Sequence, residues 1–174
     1  PITTGIGHSG FEIGDEVGPV ENEDYVGMLV RFDGGVVGTM ESSRVSVGSR
    51  AEYVVEVYGT GGSARWNFER LNELQVCTTA DAGPVHGYTR AMAGPDWGEW
   101  SRYQPAIGTS MGFDDLKSVE AAQFLRSVLT GEQRAPSAAD AWCAAEVDEA
   151  VVASAADSGW HDVARVDLPT TFDA

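Results

Sequence analysis

Lysine is nearly missing. Lys117 is the only one in 174 residues, and Lys and Arg together number 11 against 27 Asp and Glu, for a net charge of −16. So acidic a surface repels phosphate backbones and anionic lipid, which excludes nucleic-acid and membrane partners. Cysteine is equally scarce. Cys77 and Cys143 lie far apart with no secretory leader before them, so both are expected to be reduced core thiols in a cytoplasmic protein. No apolar run approaches the roughly 18 residues needed to span a bilayer. No targeting segment opens the chain, and Pro1 stands where an initiator Met would, as in a fragment or processed product. His8, His86 and His161 are scattered and neither cysteine belongs to a C-x-x-C, so no metal site is expected. G-x-S-x-G and S-x-x-K are also missing, which removes the usual nucleophile motifs.

What is present suits one globular domain. Hydrophobic residues make up 43% of the chain and aromatics 9%, and a chain of this length buries roughly 70% of its unfolded surface. Residues 1–22 are rich in Gly, Glu and Asp without periodicity and read as an extended lead-in, leaving 23–174 as the domain. Tyr25–Phe32 alternates, with Val26, Met28, Val30 and Phe32 on one face and Tyr25 and Leu29 on the other. Asp33-Gly34-Gly35 then predicts a tight turn and an antiparallel return over Val36–Arg44. Further strands are expected at Tyr53–Tyr58, Ser63–Phe68 and Glu73–Cys77, all joining one broad antiparallel surface. From Thr78 to Gly112 the chain reads as loop, with Gly83-Pro84, Gly94-Pro95 and the aromatics Trp97, Trp100 and Tyr103.

Two helices follow. Asp114–Thr130 gathers Ala121, Phe124, Leu125, Val128 and Leu129 on one face, and Gly131 suits its C-terminal cap. The second begins at Ser137, with Asp140 three residues on as a capping box, and buries Cys143, Val147, Ala150, Val151 and Ser154 before Ser158-Gly159. A last strand is expected near Val163–Leu168.

Several motifs compete with plainer readings. Gly59-Thr60-Gly61-Gly62-Ser63-Ala64 matches the dinucleotide fingerprint, with Asp81 near the distance of a ribose-binding acid. That motif needs a helix opening inside it, whereas Glu56 sits in the preceding strand and no βα repeats follow, so a hairpin turn is preferred. Asp157 and His161 have D-x-x-x-H spacing, but Gly159 is expected to end the helix between them and separate the two side chains. The acidic pairs Asp114-Asp115 and Asp148-Glu149 are adjacent in sequence and cannot face each other across a substrate. The tryptophan-rich loop either packs on its own domain or stacks on a sugar ring.

Glu23–Arg44 (ENEDYVGMLVRFDGGVVGTMESSR) together with Val54–Leu74 (VVEVYGTGGSARWNFERLNEL) resembles the C-terminal domain of the glucose-fructose oxidoreductase/inositol dehydrogenase/rhizopine catabolism (Gfo/Idh/MocA) family. Gly112-Phe113-Asp114, Phe124-Leu125 and Ser154–Trp160 extend the likeness over roughly residues 20–168. The resemblance implies an α+β fold: a large, mostly antiparallel sheet with helices on one face, the open face serving substrate and homodimer or homotetramer contacts. It implies an oxidoreductase of sugars, cyclitols or related polyols that uses NAD or NADP, bound by an N-terminal Rossmann domain and not by this segment. That family's lysine preceding a proline has no counterpart, since Lys117 precedes Ser118 within a helix, and its D-x-x-x-H falls upstream of the first matching strand. No catalytic residue is therefore assigned, and the segment is expected to be inert alone. By the same resemblance Arg44, Ser46, Ser49 and Arg50 approach the substrate, offering hydroxyl and guanidinium donors. Two other readings stay open: a stand-alone binding scaffold, and part of an NAD-dependent glycosidase of the same superfamily.

Overall fold

A computed structural model describes residues 23–81, 86–134 and 136–166. The lead-in at 1–22 with His8, and Gly83-Pro84, lie outside them. The chain divides into two compact units, one ending at Ser49 and one beginning at Arg50.

In the first unit, β1 (Tyr25–Arg31) and β2 (Val37–Ser43) form an antiparallel hairpin in register from Tyr25↔Ser43 to Arg31↔Val37. Gly34 and Gly35 take φ of 82° and 84° at the turn, a backbone region that side chains with a Cβ resist. Alternation has the expected sense: Val26, Met28 and Val30 are half-buried while Tyr25 and Leu29 are exposed.

In the second unit, β3 (Val54–Gly59), β4 (Gly62–Asn67), β5 (Glu73–Thr78) and β6 (Thr89–Met92) make a four-stranded antiparallel sheet in sequence order. The strands expected to share one surface are thus divided between two sheets, and β6 arises inside the stretch read as loop. With two helices, α1 (Phe113–Thr130) and α2 (Ala138–Asp157), the fold is α+β and antiparallel throughout. Residues 163–166 carry no strand, and the remainder of the expected 163–168 element lies outside the described residues.

Directly opposed residues share a face, so the register sorts the four-stranded sheet chemically. One side carries Val55 and Val57, Trp66 and Ala64, and Leu74 and Val76. The other carries Glu56, Tyr58, Ser63, Arg65, Gln75 and Arg90. Trp66 anchors the apolar side: its ring meets Tyr53 and Phe68 edge-on at 6.1 and 6.0 Å, and Phe68 meets Phe113 at 6.5 Å. Such pairs contribute about 0.5–1.5 kcal/mol each beyond the area they bury. The indole N–H of Trp66 donates to the Leu71 carbonyl at 3.1 Å.

The helix ends follow the sequence. Ser137 and Asp140 form the capping box, with Ser137 N–H donating to Asp140 Oδ2 at 2.7 Å and Asp140 N–H to Ser137 Oγ at 3.4 Å. α1 ends at Gly131 in the left-handed conformation. Two expectations about the helices fail. First, Phe124, Leu125, Val128 and Leu129 of α1 face outward. The turned-in side includes Gln123, Arg126 and Ser127: Arg126 reaches Glu99 of another element, while Arg134, just past the helix's own end, bonds Gln123 and Ser127. Second, α2 ends with Ser158 at φ 59°, and that left-handed step turns His161 back over the helix end. His161 Nε2 lies 3.1 and 3.0 Å from the two carboxylate oxygens of Asp157, so the break joins the pair instead of separating it. Both cysteines are free thiols, but Cys143 is exposed and Cys77 only half-buried, so neither is a core thiol: the inward stripe of α2 is completed by Val147, Ala150 and Val151 without it.

Candidate functional site

The most enclosed chemistry of the second unit gathers around Asn72, in the turn between β4 and β5. Its side chain reads a neighbouring backbone as a strand would. Asn72 Nδ2 donates to the Met111 carbonyl at 2.9 Å, and Asn72 Oδ1 accepts Met111 N–H at 2.8 Å. The same Oδ1 accepts Gln104 Nε2 at 2.9 Å, while the Asn72 carbonyl accepts Ala93 N–H at 2.8 Å. Gln104 and Ala93 are fully buried and Met111 nearly so. This node pins residues 104–112 against the start of β5 and sets where α1 begins, with Gly112 N–H donating to Asp115 Oδ2 at 2.8 Å.

Beside the node opens a cleft of ≈ 360 Å³, lined by Phe68, Glu69, Arg70, Leu71, Asn72, Glu73, Met92, Ser110, Met111, Gly112 and Phe113. Two phenyl rings and two methionines face a guanidinium, two carboxylates and a serine hydroxyl. Apolar walls with a few directed polar groups suit a small polyhydroxylated ring, which offers C–H faces to the former and hydroxyls to the latter. Its acids are already engaged. Glu69 Oε1 accepts the backbone N–H groups of Arg50 and Ala51 at 2.8 and 2.9 Å. Glu73 is bound by Arg70 at 2.9 Å and by Arg90 at 3.7 Å. The cleft therefore offers binding groups but no free base.

A second, more polar cleft of ≈ 230 Å³ lies on the charged side of the sheet, lined by Arg65, Asn67, Arg70, Glu73 and Gln75. Arg65 pairs with Glu56 there at 2.8 Å. The Tyr58 hydroxyl donates to Glu56 at 3.1 Å, and that carboxylate pushes the phenol's pKa up, keeping it protonated.

The four predicted substrate residues are placed differently. Arg50 belongs to the second unit, and its backbone is tied to Glu69 on the rim of the larger cleft. Arg44, Ser46 and Ser49 belong to the first unit. Arg44 closes the hairpin through its N–H to the Asp24 carbonyl at 3.0 Å, with its guanidinium 3.6 Å from the Asp24 carboxylate. Ser46 Oγ donates to Ser43 Oγ at 2.8 Å. Lys117 pairs with Glu120 at 2.7 Å on α1. Thr60 and Gly61 are the loop of the β3–β4 hairpin, so the fingerprint-like glycines form an antiparallel turn with no helix opening in it. Trp97 and Trp100 stack obliquely at 6.4 Å at a short 3-10 turn, with Trp100 half-buried. Reading the sequence missed Asn72, Gln104 and the cleft altogether.

The carboxylates that anchor this architecture share one electrostatic signature. Backbone N–H donors from Ala51 and Arg50 hold Glu69 below the usual carboxylate range, and the Arg126 hydrogen bond does so for Glu99. Ser137 lowers Asp140, and the Gly159 N–H, followed by His161, lowers Asp157. Because each folded-state pKa lies below its unfolded value, this stabilisation is fully present above the unfolded carboxyl range. It is lost as pH falls through the folded values. In about 0.15 M salt, where distant repulsion is screened, the urea midpoint should hold between about pH 8 and 6 and fall below about pH 4. A midpoint that rises steadily on acidification would contradict this account of the four acids.

An antiparallel four-stranded sheet followed by two helices, with a hairpin turn and not a nucleotide-type turn at Gly59–Gly62, defines an α+β domain. Residues 8–163 match the family described as "Oxidoreductase family, C-terminal alpha/beta domain", and the chain belongs to it, the Gfo/Idh/MocA oxidoreductases. It is 36% identical over 151 residues to levoglucosan dehydrogenase of Pseudarthrobacter phenanthrenivorans, spanning 86% of this chain and 38% of that protein. Its fold is similar to that of a levoglucosan dehydrogenase solved with NADH and levoglucosan, at 34% identity and TM-score 0.81, over 86% of this chain and 41% of the other. An oxidoreductase domain protein from Kribbella flavida is similar at 25% identity and TM-score 0.79, over 91% and 41%. The chain thus spans about two fifths of the length of the relatives it matches.

Proposed function

We propose that this chain is the substrate-binding half of an NAD-dependent dehydrogenase of sugars or related polyols, completed by a Rossmann-type half upstream. The observation that carries this reading is the 36% identity to a levoglucosan dehydrogenase, joined to a fold likeness with one holding NADH and levoglucosan. The residues fit a division of labour. NAD on the upstream half takes the hydride from a hydroxyl-bearing carbon, and that half also supplies the base. The present chain contributes sugar contacts, for which the second unit offers the Phe68–Phe113 cleft and Arg50, and the first unit, taken by itself, offers Arg44, Ser46 and Ser49; it is inert alone. Homodimer or homotetramer assembly through the charged side of β3–β6, in the cytoplasm, completes the proposal; on that side Arg65 and Arg90 remain about half exposed despite their partners.

The test is NADH formation by the complete polypeptide with levoglucosan and a panel of cyclic polyols. Turnover is expected from the complete protein and none from residues 1–174 alone. Arg50→Ala in the complete protein should lower kcat/KM about tenfold, mainly through KM if it contacts the ground state. No NADH with any polyol would overturn the function, while unchanged kinetics in the variant would remove only Arg50 from the site.

A further inference from the structure

Four residues stand in one row across the charged side of the four-stranded sheet. Glu56 opposes Arg65, Arg65 opposes Gln75, and Gln75 opposes Arg90, one residue from each of β3 to β6. Adjacent strands lie about 4.8 Å apart, so the long side chains of Arg65 and Arg90 can converge above Gln75 between them. Beside the row opens the ≈ 230 Å³ cleft lined by Arg65, Asn67, Arg70, Glu73 and Gln75. Its charges do not balance. Arg65 is matched by Glu56 at 2.8 Å and Arg70 by Glu73 at 2.9 Å, which leaves Arg90 a 3.7 Å approach to a carboxylate already taken. Three guanidiniums against two carboxylates leave one positive charge in surplus, in a chain of net charge −16. Donors are in surplus too. Arg90 stands too far from Glu73 for a hydrogen bond, and Gln75 is half-buried with no side-chain partner among the described residues.

We propose that this row binds a small oxyanion, a carboxylate or a phosphate, seated over Gln75 with Arg65 and Arg90 on either side. Guanidinium forks match the oxygens of both groups, and hydrogen bonds between charged partners are roughly twice as strong as neutral ones. The Gln75 amide supplies a donor between the two forks. Surplus positive charge selects an anion over a neutral polyol, and the cleft is smaller than those that enclose drug-sized ligands. Elsewhere the acidic surface repels anions, so saturable anion binding on this chain reports local chemistry. Arg70 and Glu73 also line the Phe68–Phe113 cleft, which puts the anion behind a wall of that cleft and outside it. Nothing in this site depends on the identity of the sugar or of the nucleotide. Assembly through this side would bring the surplus charges of two copies toward one another, and a bound anion would neutralise them.

Isothermal titration of the complete protein with inorganic phosphate, and separately with acetate, tests this at an ionic strength held constant with chloride. At least one of the two is expected to bind saturably with a Kd of about millimolar, and the tighter one gives the ligand's class. Arg90→Gln should weaken that binding about tenfold or more, since Glu73 keeps Arg70 and the fold is not at stake. Gln75→Leu, similar in size and giving up no existing bond, should weaken it about threefold or more. Arg102→Gln removes the same charge from a surface pair with Glu99 at 3.6 Å and should change the Kd less than about twofold. Binding should persist with NADH at saturation. Heats no larger than those of chloride would overturn the site outright. Equal weakening by Arg90→Gln and Arg102→Gln would reduce it to a diffuse charge effect, and undiminished binding in Gln75→Leu would place the anion away from the row. Displacement by NADH would overturn it in favour of a nucleotide-phosphate site elsewhere in the polypeptide.

Discussion

Asn72→Ala is expected to destabilise the folded protein by about 3 kcal/mol and to lower its Tm by roughly 10 °C. The side chain satisfies three groups together: the Met111 N–H, the Met111 carbonyl and Gln104 Nε2. Gln104 is fully buried, and its Oε1 already lacks a protein partner among the described residues. Without Asn72 its side-chain amide would be buried with no protein hydrogen bond, and that desolvation penalty, not the bonds' modest net strength, makes the effect large. Asn72→Asp preserves shape but sets an acceptor against the Met111 carbonyl, so it should be no milder. Asn67→Ala is the milder comparison: Asn67 Nδ2 reaches Glu52 Oε1 at 2.9 Å and its Oδ1 accepts Glu69 N–H at 2.8 Å, both exposed, so its loss should cost about 1 kcal/mol. Urea denaturation of the complete protein separates the cases. Equal costs for Asn67→Ala and Asn72→Ala would show that the node is not the anchor of residues 104–112. Because Met111 and Gly112 line the cleft, Asn72→Ala should also raise KM for substrate.

How far the sequence carried the fold depends on whether the deciding interactions were local. The β1–β2 and β3–β4 hairpins were legible because alternation and glycine-bearing turns specify register within a few residues. The Ser137–Asp140 box was legible for the same reason. β6 was not: Thr89–Met92 is four residues without clean alternation, and it becomes a strand only because β5 offers an edge. Asn72 was invisible because its partners are 32 and 39 positions away and nothing in its own neighbourhood marks it. The α1 error is more instructive. A periodic apolar stripe says that a surface will be covered, not by what, and here the chain's own packing uses the other side. Asp157–His161 failed on a smaller point: a helix break was taken to separate two residues that a single left-handed step at Ser158 reunites. Of the site, Arg50 was named from the resemblance, and its backbone N–H meets one lining residue, Glu69; the cleft itself is assembled from residues 68–73, 92 and 110–113.

Gly62→Ala should cost about 3–5 kcal/mol, more than any exposed turn residue ordinarily commands. Gly62 has φ of 155° and opens β4 opposite Gly59 on one side and Thr78 on the other. A Cβ there would lie 2.3 Å from the Cys77 carbonyl oxygen and 3.1 Å from Thr78 Cα, both backbone atoms of the paired strand. No rotamer relieves that clash; β4 and β5 must part at this end, with loss of ladder hydrogen bonds. The neighbouring Gly61 supplies the contrast. Nothing stands within 4 Å of a Cβ built there, and its φ is not positive, so Gly61→Ala should change stability by less than about 1 kcal/mol. The pair of variants also separates the two meanings of this glycine run. In a dinucleotide fingerprint the second glycine lets a pyrophosphate approach the backbone, so Gly61→Ala would cripple cofactor binding and spare the fold. In an antiparallel hairpin packed against β5, Gly62 carries the sensitivity, and it appears as lost stability. Thermal denaturation and NADH titration of both variants in the complete protein distinguish these outcomes. A destabilised Gly62→Ala beside a Gly61→Ala that binds NADH normally places the cofactor elsewhere in the polypeptide, where the proposed upstream half requires it.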